Sequence, residues 1–246
     1  MLKDRLVAHR GFQKLYPENT LLGLSKAIEA GAHFIETDIQ FSADYQPVLY
    51  HDLPMKRLSG VENLLSNLTL AELSQHSCFE PQRLGDKFRG EAIAMLLDLV
   101  ALLKANPQVT AFVEIKRTAV QFAGLENTFS ILESQLQPVQ AQAVLISFDY
   151  AVIAYAHSKS YPRLGFVLQQ WSDLESDVVA STEVEFLFCD QEKIPADADL
   201  GNLSSKLVVY EVDNPDVAAS LFARGVDMVE TFDIGGMLDG LGRHAL

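Results

Sequence analysis

Four short stretches of this sequence end in charge where apolar residues are the rule: Val7-Ala8-His9-Arg10-Gly11, Phe34-Ile35-Glu36-Thr37-Asp38-Ile39, Val48-Leu49-Tyr50-His51-Asp52 and Phe112-Val113-Glu114-Ile115-Lys116-Arg117. Each begins as a run of β-forming apolar residues, so each reads as a strand whose C-terminal end carries ionisable groups. Side chains alternate along a strand, which puts Glu36 and Asp38 on one face and Glu114 and Lys116 on another. Three carboxylates gathered in a partly buried place repel one another and lose hydration, a cost of several kcal/mol unless a cation compensates them. An all-oxygen donor set selects one hard divalent cation, Mg²⁺ or Ca²⁺, over zinc. Histidine is the side chain suited to acid–base work near neutral pH, and His9 and His51 flank the carboxylates as such a pair. Arg10 and Lys116 add positive charge in a chain whose net charge is −14. The set suits a small phosphorylated substrate whose transition state gathers charge on phosphoryl oxygens.

The elements that would hold these groups alternate strand and helix along the whole chain, the pattern of a parallel sheet with helical crossovers. Strands are expected at 5–8, 34–39, 48–50, 110–116, 143–147, 164–168, 185–189, 207–212 and 228–231. Helices are expected after Asn19 or Thr20, which cap and are assigned nothing more, along the stripe Leu96, Leu99, Val100 and Leu103, and near 120–136, 150–158 and 215–223. Thr69-Leu70-Ala71-Glu72 fits a capping box. Only eight residues separate Ile39 from Val48, too few for a crossover helix, so the third strand is expected to be hairpin-like. The remaining eight strands fit a TIM (β/α)8 barrel, an α/β fold whose active sites lie at the C-terminal ends of the strands. An open doubly wound sheet is the alternative, without a Gly-x-Gly-x-x-Gly after the first strand to support it. The later strands, such as Val208-Val209-Tyr210-Glu211-Val212, read as packing strands. Residues 52–92 form a short insertion after the third strand, expected to cover the mouth of a single domain spanning 1–246.

The acidic surface argues against nucleic-acid and anionic-membrane partners and leaves a small molecule as the expected one. Cys78 and Cys189 have no metal-site or disulfide-framework spacing, and charge interrupts the N-terminal residues Met1 to Val7 where a signal segment would begin. No apolar run is long enough for a membrane span. A cytoplasmic, reduced chain is expected, with the oligomeric state left open. Gly235-Gly236 reads as a turn, Cys189 as packing, Trp171 as a cap or rim residue, and His33, His76, His157 and His244 as surface residues.

Taken in order, His9-Arg10-Gly11, Pro17-Glu18-Asn19-Thr20, Glu36-Thr37-Asp38, Pro47-Val48, His51-Asp52, Glu114-Ile115-Lys116 and Gly225-Val226-Asp227 resemble the motif set of the glycerophosphodiester phosphodiesterases. These belong to the phospholipase-C-like TIM-barrel phosphodiesterases. The resemblance implies metal-dependent hydrolysis of a glycerophosphodiester to glycerol 3-phosphate and an alcohol. It implies that Glu36, Asp38 and Glu114 hold the metal, that His9 and His51 act as acid and base, and that Arg10 and Lys116 grip the phosphate. Tyr210 stands where the family usually has Trp, and Phe232 where an Asp commonly closes the last strand, which bears on headgroup preference. Alternatives are a lysophospholipase D-type reaction on the same scaffold, a Schiff base on Lys116, and a non-catalytic phosphodiester-binding barrel.

Overall fold

A computed structural model describes residues 4–244, with side chains to Gly242; the reading of Met1 to Lys3 and of the His244 side chain falls outside it. Nine strands form one sheet: β1 (Leu6–Ala8), β2 (Phe34–Phe41), β3 (Pro47–Leu49), β4 (Thr110–Ile115), β5 (Ala143–Ser147), β6 (Leu164–Val167), β7 (Phe186–Asp190), β8 (Lys206–Tyr210) and β9 (Met228–Thr231). β1 pairs in parallel with both β2 and β9, which closes the ring β1-β2-β4-β5-β6-β7-β8-β9. This is the TIM barrel. β3 stays outside the ring as the antiparallel partner of β2, with Ile39 opposite Leu49, as the short connection requires.

Two apolar layers follow from strand alternation. Val7, Phe112, Val144, Phe186, Phe188, Val208 and Met228 fill the barrel, where Phe112 meets Phe186 and Phe188 edge-on at 4.8 and 5.0 Å. The opposite faces, with Ile35, Ile39, Val113, Leu145 and Val209 among them, pack against the helices. The helix Tyr150–Ser158 and the helix Pro215–Ala223 fall where expected. The expected helix near 120–136 is instead two, Arg117–Ala123 and Leu125–Leu136, broken at Gly124 with φ +80°. Gly235 and Gly236 are not in a turn but in the helix Ile234–His244.

Residues 52–92 are folded rather than a bare loop. The short helices Lys56–Ser59, Leu70–Leu73 and Pro81–Leu84 surround a small apolar core of their own, with Met55, Leu58, Leu65, Leu73 and Cys78 packed against Val48 and Tyr50. Thr69 and Glu72 make the capping box.

The turn after β1 sets up the site. Gly11 takes φ +84°, and a Cβ there would lie 2.6 Å from the Gly23 carbonyl carbon, inside the first turn of the helix Leu21–Glu29. Thr20 caps that helix by accepting from the Gly23 N–H, so the loop from Arg10 to Asn19 is drawn tightly against the barrel end. Gly11→Ala is expected to destabilise the protein by about 1–3 kcal/mol, because neither the φ nor the contact can relax cheaply. Urea unfolding with an unchanged m-value measures this.

Candidate active site

The C-terminal ends of the ring strands divide into two arcs. β9, β1, β2 and β4, consecutive in the ring, carry Glu230, His9, Arg10, Glu36, Asp38, Glu114 and Lys116 on or just past their ends. β5 to β8 carry Ile146, Phe148, Val167, Phe188 and Tyr210. These arcs, with His51 from beyond β3 and Glu211, line one cavity of about 180 Å³. Asp38 lies beneath it, fully buried. All seven residues singled out in the sequence therefore converge.

Register explains the carboxylates. Asp38 sits beside Glu114 across the β2–β4 pair, and Glu36 lies two residues back on the same face. Asp38 is the most supported: its Oδ2 accepts from Asn19 Nδ2 at 2.8 Å and pairs with Arg10 Nε at 3.1 Å, while Oδ1 accepts from Lys116 Nζ at 3.2 Å. Burial alone would raise its pKa, but Lys116 and Arg10 overcome this and hold it well below the usual carboxylate range. Glu36 and Glu114 go the other way. Burial, followed for Glu36 by the Asp38 charge, pushes Glu36 well up, and burial raises Glu114 despite Lys116 Nζ at 2.9 Å. The three offer ligand oxygens within 4.8 Å of one another. Glu36 Oε1 is buried and accepts no hydrogen bond from any described residue. A carboxylate held dry without a donor is what a divalent cation satisfies, so the donor set fits an oxygen-loving ion.

Lys116 is held charged, because Asp38 and Glu114 outweigh the effect of burial and raise its pKa. With its Nζ 3.2 Å from Asp38 and 2.9 Å from Glu114, Lys116 is placed for ion pairing, which speaks against a Schiff-base role.

His51 is oriented by a chain of charge the sequence reading did not see. Its Nδ1 lies 2.6 Å from Asp52 Oδ1. Burial would raise Asp52, but the hydrogen bonds from Arg57 and His51 hold it at about 2. As a carboxylate Asp52 only accepts, so the contact is one in which His51 Nδ1–H donates, and it fixes the orientation of the ring. Arg57 also reaches both oxygens of Glu18 at 2.8 Å, and Glu18 pairs with Arg10 Nη1 at 3.2 Å. The Glu18 carboxyl is completely buried, which alone would raise its pKa, but Arg57 and Arg10 outweigh this and lower it.

Asn19 exceeds the capping role assigned to it. Thr20 does the capping, while the Asn19 side chain donates to Asp38 and accepts from Thr37 Oγ1 at 2.6 Å and the Asp38 N–H at 3.0 Å. Arg10 and Asn19 both adopt φ +55°, the left-handed region that asparagine tolerates and arginine enters at a cost of about 1–3 kcal/mol.

The end of the barrel at β8 and β9 corrects the reading of those strands as packing alone. Glu230 is 3% exposed and lines the cavity, and Glu211 Oε1 lies 3.4 Å from His9 Nδ1. Burial raises both carboxyls, Glu230 to well above the usual carboxyl range. The signal was present: both follow the same apolar-run-then-charge pattern as the first four strands. Phe232 does not line the cavity; it stacks on the His9 ring at 4.8 Å and 14°. Tyr210 does line it. His33, expected at the surface, is partly exposed and lies with its Nδ1 2.7 Å from Asp4 Oδ1. Trp171 begins a 3-10 turn and packs on the outer core, and Cys189 is buried as expected.

Residues 9–235 match the model of the glycerophosphoryl diester phosphodiesterase family. A glycerophosphodiester phosphodiesterase of Caldanaerobacter subterraneus subsp. tengcongensis is 33% identical over 125 residues, 51% of this chain and 50% of that protein. One of Bacillus altitudinis is 26% identical over 157 residues, 62% of this chain and 61% of that protein. The match thus spans about half to three fifths of the length of these relatives. Among solved structures, a putative glycerophosphoryl diester phosphodiesterase from Silicibacter pomeroyi superposes with TM-score 0.85 at 20% identity, covering 98% of this chain and 94% of that one. A phosphodiesterase from Oleispira antarctica, in complex with the product sn-glycerol-3-phosphate, superposes with TM-score 0.82 at 21% identity, covering 97% and 96%.

The raised carboxyls make stability depend on pH in a fixed direction. Between the unfolded carboxyl pKa, ~4.3, and the higher folded value, the native protein holds protons that the unfolded chain has released. Stability therefore falls as pH rises through that window. With divalent cations chelated, Glu230→Gln, which cannot ionise, is expected to gain about 1–3 kcal/mol on the wild type between pH 4 and pH 8. Urea unfolding at the two pH values measures the gain, and a gap that does not move overturns the burial argument.

Proposed function

The chain belongs to the glycerophosphoryl diester phosphodiesterase family, and on that premise we propose that it hydrolyses glycerophosphodiesters to sn-glycerol 3-phosphate and an alcohol. The observation that carries the proposal is the convergence of three carboxylates, two imidazoles and two cations on one cavity with an apolar opposite arc. Glu36, Asp38 and Glu114 would hold one hard divalent cation, Mg²⁺ or Ca²⁺, which supplies positive charge against the developing phosphoryl oxyanion.

The chain's own residues do the rest. Lys116 spends two of its three N–H donors on Asp38 and Glu114 and keeps one for a phosphoryl oxygen. Arg10, with Nε on Asp38 and Nη1 on Glu18, is fixed in place with further guanidinium N–H donors left for the phosphate. His51, with its proton directed to Asp52, offers Nε2, and His9 stands on the other strand end under Phe232, so one takes a proton while the other gives one. The apolar arc excludes water from the carbon skeleton beside the reacting phosphorus.

A cavity of about 180 Å³ is of a size that suits a small deacylated diester. Residues 52–92 work with the barrel as one domain, their fold clamping the His51 loop. Among the described residues no helix is long and apolar enough to cross a membrane, and both cysteines are free and buried. These features support a cytoplasmic enzyme acting on a small molecule.

Release of sn-glycerol 3-phosphate from glycerophosphocholine, glycerophosphoethanolamine, glycerophosphoglycerol or glycerophosphoinositol is expected with Mg²⁺ or Ca²⁺ and is expected to stop with EDTA. Metal-saturated protein with no turnover on any of the four sinks the assignment. His9→Gln and His51→Gln should each lower kcat by about 10²–10⁴ and each remove one limb of a bell-shaped pH profile, with metal affinity retained. The limb lost assigns acid and base.

A further inference from the structure

The mechanism above gives no work to Glu230, a buried ionisable group that lines the cavity. Glu230 stands beside Val7 in the β1–β9 register, so its side chain points into the barrel as Val7 does. It is 3% exposed, it lines the cavity, and its Oε1 accepts no hydrogen bond from any described residue. Folding does not call for a carboxyl there: the neighbouring interior positions, Val7, Val208 and Met228, are apolar, and an aliphatic side chain would avoid the penalty of a dry, unpaired carboxyl. The missing donor must come from what enters the cavity.

We infer that Glu230 is a specificity-determining residue that accepts a hydrogen bond from a hydroxyl of the substrate's glycerol moiety. The inference rests on the glycerophosphodiester reading. Place in the ring supports it. β9 lies between β1, which carries Arg10 for the phosphate, and β8, where the apolar arc begins with Tyr210. A glycerophosphoryl group lying with its phosphate on the ionic arc and its carbons on the apolar arc crosses that boundary. The groups it carries there are hydroxyls, the donors a buried carboxyl lacks. A site built this way rejects an otherwise identical ligand without the hydroxyls, because the carboxyl then stays unpaired.

The test compares two phosphomonoesters with the same three-carbon chain, sn-glycerol 3-phosphate and propyl phosphate, by calorimetry on metal-saturated protein. Wild type is expected to bind sn-glycerol 3-phosphate at least about tenfold more tightly. In Glu230→Leu that preference should collapse to within about twofold while the propyl phosphate Kd stays put; Glu230→Gln, whose amide oxygen still accepts, should keep part of it. Thermal melts of both variants establish that they are folded. The inference is overturned if wild type shows no preference, if the preference survives in Glu230→Leu, or if both ligands weaken together. It is also overturned if metal analysis shows Glu230→Leu losing a bound ion that the wild type holds, since His9 and Glu36 offer ligand atoms within 4.8 Å of Glu230 and a second cation would then be its partner. Absence of sn-glycerol 3-phosphate release by wild type fails the parent reading instead, and the two failures are separate measurements.

Discussion

Burying carboxylates is the constraint around which this barrel end is built. Asp38 is fully buried and still ionised because Arg10, Lys116 and Asn19 all converge on it. Each of those partners makes its own demand. Arg10 and Asn19 sit in left-handed backbone, which the turn at Gly11 and the bond from Asn19 N–H to the Arg10 carbonyl at 3.1 Å hold in place. Arg10 in turn shares Glu18 with Arg57, and Arg57 shares Asp52 with His51. The charges form one connected network rather than separate pairs, so the position of the imidazole at the mouth depends on ionic contacts that begin below the cavity floor.

The two arcs of the ring match the two chemical halves of the proposed substrate. Strands whose ends face the phosphate carry charge, and strands whose ends face carbon carry Ile146, Phe148, Val167 and Phe188. The ring order makes each arc contiguous, because consecutive βα units are neighbours in a barrel. Division of labour along the sequence thus becomes division of labour in space: the first half of the chain, joined by β9, supplies the charges, and the second half supplies the wall.

Much of this was legible from the sequence, for physical reasons that also explain the gaps. Period-2 runs ending in charge located β1, β2 and β4, and a spacing too short for a crossover made β3 a hairpin partner. Glu211 and Glu230 carried the same mark but were hidden inside runs so apolar that packing explained them. Asn19 was masked by a sufficient local explanation: it precedes a helix, and its tertiary contact with Asp38 leaves no trace in nearby residues. Glu18 and Arg57 belong to long-range charge pairing between the first loop and the insertion. No periodicity encodes such pairing. The break at Gly124 was visible as a glycine, but the apolar stripe ran through it.

The segment between β3 and the helix Leu96–Ala105 has an apolar nucleus separate from the barrel's two layers, and it supplies Arg57, the hub of the anchoring network. A segment with its own small core thus holds the tether of the His51 loop. Loosening that segment would free Arg57 from both Asp52 and Glu18, so the His51 loop and the Arg10 anchor beneath it would feel the change together. The imidazole at the mouth is therefore only as firmly placed as the packing of that small core.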